Sequence, residues 1–254
     1  MNKEFIEIRW HGRGGQGAIT AAKIVAGAAF VTGYPGVVMA PSFGTERRGA
    51  PVMTSLKISR EKIYDLSPIE TPDIIVVLDH LLLAEADVTR GLKPGGIIVL
   101  NTPKTFESYK LKDYRFATAD VTSISVEAGL PHGMVNTGII GSLERAINLV
   151  GMDILIKGIE EEFRTRNPET NSLAAKIAFE RTVTGGSKWA LEITEEKLPT
   201  VTTGRVTAAE QVHGELKDRY WIKAFVSPVK GIKKPASSAG CSVRMLSSPG
   251  RYRL

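Results

Sequence analysis

The feature that most restricts the fold is a glycine-rich stretch between a predicted strand and a predicted helix. Residues 5–10 alternate apolar and polar side chains, as a half-buried strand does. Small apolar residues then recur at helical spacing from Ala18 to Ala29, before Gly33 and Pro35. Glycines in such a turn let backbone N–H groups and the positive end of a helix approach a phosphate. The stretch consists of His11, Gly12, Arg13, Gly14, Gly15, Gln16 and Gly17.

Alternating strands and helices in the first half of the chain predict the fold class. Residues 74–78 form a continuous apolar run, which is typical of a strand covered on both faces. Further strands are predicted at 36–40 (short and buried), 51–59, 97–100 and 114–119, and helices at 81–91, 136–150, 153–166 and 169–182. We therefore predict an α/β fold with a largely parallel sheet flanked by helices and a Rossmann-like, glycine-rich first βα turn.

The glycine-rich stretch departs from both standard nucleotide-binding patterns. A dinucleotide site needs an acidic residue about 20 positions beyond the glycines, but the next strand ends at Ala40-Pro41. A P-loop needs Lys and Ser or Thr where this chain has Ala18-Ile19. Two interpretations stay open, namely contact with a ligand or partner and a purely structural tight turn.

For His11 the alternatives are a proton shuttle and a histidine that orients the loop through a backbone hydrogen bond.

A second unusual stretch follows the second predicted strand, at the same predicted edge of the sheet. Two adjacent arginines beside a glutamate, between glycines, can present a planar fork to a carboxylate or phosphate. The alternative is a solvated loop in which the glutamate pairs with an arginine. The residues predicted to face a ligand or partner are Phe43, Gly44, Glu46, Arg47 and Arg48.

The rest of the sequence contains no recognisable catalytic or metal-binding constellation. His80, His132 and His213 are scattered, and no pair has the spacing of a metal site. Residues 136–138 open a predicted helix and are interpreted as a cap, with Gly138 and Gly141 forming a close-packing face. A ligand role for this helix start is the less favoured alternative. We therefore predict no catalytic residue and no metal site in this chain alone.

Cysteine content and charge exclude several classes of function. The one cysteine, Cys241, allows neither an internal disulfide nor a cysteine-ligated iron–sulfur cluster. The formal net charge is +6, yet residues 1–226 contain equal numbers of basic and acidic side chains. Because the predicted folded part is neutral, we expect no nucleic-acid groove. With no apolar run long enough for a membrane span and no signal-peptide pattern at the start, a cytoplasmic protein is expected.

The composition also predicts the domain organisation. Residues 1–190 form the predicted α/β domain, and residues 191–226 form an extension with one helical candidate at 208–220. Residues 227–254 carry six basic side chains and no acid, and are rich in Ser, Pro and Gly. Because this tail has no apolar periodicity, we expect it to be separable from the fold.

Three segments, in this order, resemble the gamma subunit or gamma domain of the 2-oxoacid:ferredoxin oxidoreductases, the family of pyruvate and ketoisovalerate enzymes. They are RWHGRGGQGA at 9–18, FGTERRGAPV at 43–52 and PDIIVVLD at 72–79. With the predicted helices through about Thr182, the resemblance covers residues 3 to about 190. It implies that the complete enzyme decarboxylates a 2-oxoacid on thiamine diphosphate with magnesium. Two electrons then pass through iron–sulfur clusters to ferredoxin, and the acyl group usually passes to coenzyme A.

The resemblance also implies that this chain works as one subunit of several. Its expected partners are alpha, beta and delta-type subunits, and ferredoxin through the complex. The chain has neither a Gly-Asp-Gly thiamine-binding segment nor a cysteine cluster, so no cofactor is expected on it alone. By analogy, residues 11–17 and 43–48 face the thiamine-bearing subunits, near the coenzyme A path or the catalytic cavity. A non-catalytic assembly subunit is the alternative, and a freestanding Rossmann-type dehydrogenase is disfavoured by the missing ribose acid.

Overall fold

The computed structural model describes residues 5–42, 49–111 and 113–186. The chain divides into two units, Met1–Ala190 and Leu191–Leu254. The predictions for the extension, its helix at 208–220 and the tail lie outside the described residues, as does the stretch 43–48. None of the helices in the described part has the length and apolar content needed to cross a bilayer.

In the described part of the chain, seven strands form one mixed sheet. They are β1 (Phe5–Arg13), β2 (Gly36–Ser42), β3 (Pro51–Ser59), β4 (Ile74–Val77), β5 (Ile97–Asn101), β6 (Arg115–Ala119) and β7 (Val183–Gly186). Their order across the sheet is β2-β3-β1-β4-β5-β6-β7. Neighbours among β1, β4, β5 and β6 are parallel, whereas β3 and β7 run antiparallel to their neighbours. The predicted α/β class with a largely parallel sheet is confirmed.

The main helices pack on one face of this sheet. They are α1 (Ala18–Val31), α3 (Val121–Glu127), α4 (Asn136–Ile147), α5 (Met152–Glu162) and α6 (Pro168–Arg181), and a short α2 (Leu82–Glu85) lies on the other face. In β4, Ile74 and Val76 join the helical core, whereas Ile75 and Val77 pack beneath Leu82 and its neighbours. Strand β4 is therefore buried on both faces, as its apolar run predicts.

The predicted helix at 81–91 is mostly absent, because only the four residues of α2 are helical. The guanidinium of Arg9, on the neighbouring strand β1, donates hydrogen bonds to the carbonyl oxygens of Val88 and Arg90. Helix α2 ends because the backbone of Ala86 is extended, with φ of −141° and ψ of 150°. The prediction of a full helix here is wrong, since the chain beyond Ala86 forms turns, such as the one closed by the Leu92 N–H and the Thr89 carbonyl. A helix that ended at Gly91 would leave the carbonyls of Val88 and Arg90 without partners in any case, so Arg9 anchors these turns.

The strand predicted at 36–40 exists as β2, but it is an edge strand that pairs only with β3. Most of its residues are half-buried rather than buried. Its apolar side chains Val37 and Met39 pack against the helical core from the edge of the sheet. The apolar run of β2 therefore corresponds to a strand that is covered on one face and not on both.

Helices α4 and α6 approach closely through glycine. A Cβ built on Gly141 would collide with the carbonyl oxygen of Ala175 in α6, and one built on Gly138 would collide with Val121 in α3. The interpretation of these two glycines as a close-packing face is confirmed.

Candidate functional site

The glycine-rich stretch is divided between a strand and a turn. Residues 11–13, predicted as loop, continue β1 and pair with the start of β3. The turn itself consists of residues 14–17, in which Gly15 and Gly17 have φ of 96° and 80°. Only glycine adopts such angles without a steric cost, so these two positions fix the turn. The turn lies at the carboxyl end of β1 and leads directly into α1.

The turn is joined to the end of the second stretch by main-chain hydrogen bonds. The Gly14 N–H donates to the Ala50 carbonyl at 2.9 Å, and the Gly49 N–H donates to the Gly14 carbonyl at 3.2 Å. Residues just after the predicted arginine loop therefore contact the glycine turn directly. Phe43, Gly44, Glu46, Arg47 and Arg48 lie outside the described residues, so their predicted role stays a prediction.

Arg13 is fixed by two carboxylates at the same edge of the sheet. Its Nε lies 2.6 Å from Asp79 Oδ2, just beyond β4, and its Nη2 lies 2.6 Å from Glu85 Oε1 in α2. The hydrogen bonds that Arg13 donates to Glu85 and, secondly, to Asp79 raise the pKa of Arg13. Partial burial opposes ionisation of Asp79, but the hydrogen bonds from Arg13 and the Leu81 N–H hold its pKa below the usual value. Arg13, which directly precedes the turn, is therefore held in place by residues of the same chain.

His11 is held as a neutral hydrogen-bond acceptor. Arg9 Nε donates to His11 Nε2 at 3.0 Å. Burial, and secondly the positive charge of Arg9, lower the pKa of His11 to about 4. The proton-shuttle interpretation is disfavoured, because Nε2 is occupied and the ring stays neutral near pH 7. The bond is to the Arg9 side chain and not to the backbone, so the predicted role of His11 in orienting the loop stays a prediction.

The hydrogen-bonded pair of Arg9 and His11 leads to a prediction for the stability of the fold at acid pH. The folded-state pKa of His11, about 4, lies below the ordinary value of 6.5, so the unfolded chain takes up the proton first. Its contribution to the free energy of unfolding is present above about pH 6.5 and is lost as the pH falls towards about 4. The substitution His11→Gln, which keeps an acceptor for Arg9, should remove this part of the pH dependence. Denaturant unfolding between pH 7 and pH 4 measures it.

His132→Gln is the matched control, because His132 is exposed. This variant should keep the pH dependence of the unmodified chain. An equal change in both variants would contradict the assignment to His11.

Asn136, at the start of α4, lies against the glycine turn. A Cβ built on Gly17 would stand 2.9 Å from the Cβ and 2.9 Å from the Nδ2 of Asn136. Asn136 is 5% exposed, and its Oδ1 has no hydrogen-bond partner among the described residues. No described side chain caps α4, so the prediction that residues 136–138 form a cap is wrong. The sequence offered a ligand role for this helix start only as the less favoured alternative, because it gives no sign that Asn136 lies against Gly17, more than 100 positions away in the chain.

Within residues 5–42, 49–111 and 113–186, no group of three or more His, Cys, Asp or Glu is placed to hold a metal ion. The single cysteine, Cys241, lies outside these residues. One cysteine cannot ligate a cluster by itself, so the residues of this chain do not fit an iron–sulfur centre. The prediction that its cofactors reside on other subunits stays a prediction.

The fold and the site together define a Rossmann-like α/β chain whose glycine turn lies at the carboxyl edge of the sheet. A family model described as pyruvate ferredoxin/flavodoxin oxidoreductase matches residues 7–181. This range includes helices α1 to α6 and the whole sheet apart from β7 and the first two residues of β1. The chain belongs to this family.

Several relatives are similar over nearly their whole length. The pyruvate/ketoisovalerate oxidoreductases common subunit gamma of Thermococcus kodakarensis is 46% identical over 183 residues, which is 70% of this chain and 97% of the relative. The pyruvate synthase subunit PorC of Methanothermobacter marburgensis is 46% identical over 176 residues, 69% of this chain and 97% of the relative. The crystal structure of the pyruvate oxidoreductase subunit PORC of Thermotoga maritima has a TM-score of 0.63 at 33% identity, and the match covers 72% of this chain and 99% of that chain.

Proposed function

We propose that this chain is the gamma subunit of a multisubunit 2-oxoacid:ferredoxin oxidoreductase. The observation that carries the proposal is its similarity to gamma and PorC subunits across 97% of their length. In the proposed complex, alpha, beta and delta-type subunits hold thiamine diphosphate, magnesium and iron–sulfur clusters. The thiamine supplies decarboxylation of the 2-oxoacid, two electrons pass to ferredoxin, and coenzyme A accepts the acyl group.

In the proposed complex, this chain contributes the carboxyl edge of its sheet, at the glycine turn. This edge borders the catalytic cavity that the subunits form together. The turn of residues 14–17 is bonded to Ala50 and Gly49, and Arg13 is held by Asp79 and Glu85. These bonds preorganise the edge before the subunits assemble, which lowers the ordering cost of assembly. We propose that this edge faces the thiamine-bearing subunits and borders the coenzyme A path.

Purification of the chain alone and with its partner subunits tests the proposal. We expect the isolated chain to be colourless and inactive, because one cysteine cannot hold a cluster. The reconstituted complex should reduce ferredoxin when given a 2-oxoacid and coenzyme A, with pyruvate and 2-ketoisovalerate as the first two substrates. Cluster absorbance in the isolated chain, or a complex that reduces no ferredoxin with any 2-oxoacid, would contradict it.

A further inference from the structure

The face of the sheet that carries α2 contains an open apolar groove. In the described part of the chain, this face is covered by the four residues of α2, a short 3-10 helix at Phe106–Ser108 and connecting loops, and by no longer helix. The groove has a volume of about 240 Å³ and lies between the turns that follow α2 and residues 109–111. Leu83 and Val88 form one wall, Tyr109 and Leu111 form the other, and Asp87 and Lys110 stand at the exposed rim.

The walls of this groove are fixed but incompletely covered. Leu83, Tyr109 and Leu111 are half-buried, although they pack against a buried apolar cluster. The Tyr109 ring stacks on Phe116 with the ring centroids 6.3 Å apart, and its hydroxyl lies 2.6 Å from Thr102 Oγ1. A rigid, half-covered apolar surface of this kind binds another apolar group with little loss of conformational entropy.

The size of the groove favours one aromatic side chain as its occupant. Sites for small-molecule ligands usually have volumes of about 300 to 1,000 Å³, which is more than this groove offers. The ring of Tyr109 can stack against a second ring, and the Asp87 carboxylate can accept a hydrogen bond from an indole N–H. These properties match a tryptophan better than an aliphatic or a charged side chain.

Strand β7 brings the chain to the edge of the groove. A Cβ built on Gly186, the last residue of β7, would stand 2.5 Å from the carbonyl oxygen of Tyr114. The Tyr114 N–H in turn donates to the carbonyl of Leu111, which lines the groove. Trp189 follows three positions later and is the only aromatic residue between Gly186 and Tyr220. Three residues span up to about 10 Å, so the indole of Trp189 can reach the groove.

We propose that the groove is the docking site of the segment that follows β7, with the indole of Trp189 as its occupant. Trp189 lies outside the described residues, but it belongs to the first of the two units, the same unit as the groove. The docked indole covers Tyr109 and Leu111 and completes the apolar cluster on this face of the sheet. The family model ends at residue 181, so this contact is additional to what the family match covers. The proposal does not rest on the proposed function, because the full chain alone contains both the groove and its occupant.

Acrylamide quenching of tryptophan fluorescence in the full chain tests the proposal. The substitution Trp221→Phe leaves two tryptophans, of which Trp10 is fully buried, so quenching reports mainly on Trp189. In this background, Ala86→Arg places a long side chain in the groove at an exposed position, so the fold is kept. Ala84→Arg makes the same change at an exposed position of α2 outside the groove, and it is the matched control.

We expect Trp189 to be protected from acrylamide, and we expect Ala86→Arg to remove this protection while Ala84→Arg keeps it. Trp189→Ala should also lower the thermal midpoint of the otherwise unmodified chain by about 3 °C or more, as the loss of a buried aromatic side chain does. In the Ala86→Arg background, Trp189→Ala should lower the midpoint no further, because the indole is already displaced.

Three outcomes would overturn the proposal. They are quenching of Trp189 as strong as that of a free indole, an unchanged thermal midpoint in Trp189→Ala, and equal quenching in Ala86→Arg and Ala84→Arg. If a second copy of the chain or a partner subunit occupies the groove instead, Ala86→Arg will weaken self-association or co-purification without changing the quenching of Trp189, and this result also contradicts the proposal.

Discussion

Replacement of Gly141 by alanine is expected to lower the free energy of unfolding of the full chain by about 3 kcal/mol, near the upper end for an overpacked core. The added Cβ would collide with the carbonyl oxygen of Ala175, which belongs to the backbone of α6. A backbone group cannot rotate away as a side chain can, so α4 and α6 must separate. Denaturant unfolding followed by circular dichroism measures the loss.

Gly158→Ala provides the control for this experiment. Gly158 is also inside a helix, but its added Cβ would meet Ile24 Cγ2 at 3.4 Å, an ordinary contact distance. Alanine favours a helix over glycine by up to about 1 kcal/mol, so this variant should be as stable as the unmodified chain or more stable. Equal destabilisation of both variants would show that the contact of Gly141 with α6 is not the cause.

Replacement of Gly17 by alanine is expected to lower kcat/KM of the reconstituted complex by at least about tenfold, or about 1.4 kcal/mol in the transition state. The new Cβ would stand 2.9 Å from Asn136, so either the turn or the start of α4 must move. The residue also has φ of 80°, a conformation that alanine adopts only at a cost. Steady-state rates of ferredoxin reduction measure the loss.

Gly33→Ala separates these two causes. Gly33 has φ of 100°, but an added Cβ there would meet nothing within 4 Å. It therefore carries the backbone strain of Gly17 without the collision, and the complex containing it should keep its activity. If Gly33→Ala reduced kcat/KM as much as Gly17→Ala, strain and not the contact with Asn136 would explain the loss.

The parts of the fold that were predictable depend on local periodicity. The apolar run of β4 and the alternation of β3 predict their strands because burial of each side chain follows from its position in the pleat. The helices at 136–150, 153–166 and 169–182 are confirmed as α4, α5 and α6 to within three or four residues. The glycines also predict the turn itself, because glycine is required locally, but the predicted loop begins three residues too early, since residues 11–13 continue β1.

The parts that were missed depend on partners distant in sequence. The turns that follow α2 are anchored by Arg9, which lies 79 positions before Val88 and 81 before Arg90. Strand β7, with its two glycines, has little strand propensity and forms because β6 offers it a free edge. Arg13 gave no local sign of its two carboxylate partners. Asn136 belongs to the site only because α4 returns to the glycine turn.

The placement of the main helices on one face of the sheet has a consequence for folding during synthesis. Strands β5 and β6 direct Ile97, Val99 and Ala117 into the core that α4, α5 and α6 complete. These helices are made after all the described strands except β7, which follows α6. At ribosomal rates of about 5 to 20 residues per second, the stretch from β6 to the end of α6 takes roughly 3 to 12 seconds. During that interval the nascent sheet exposes the apolar face that these helices later cover.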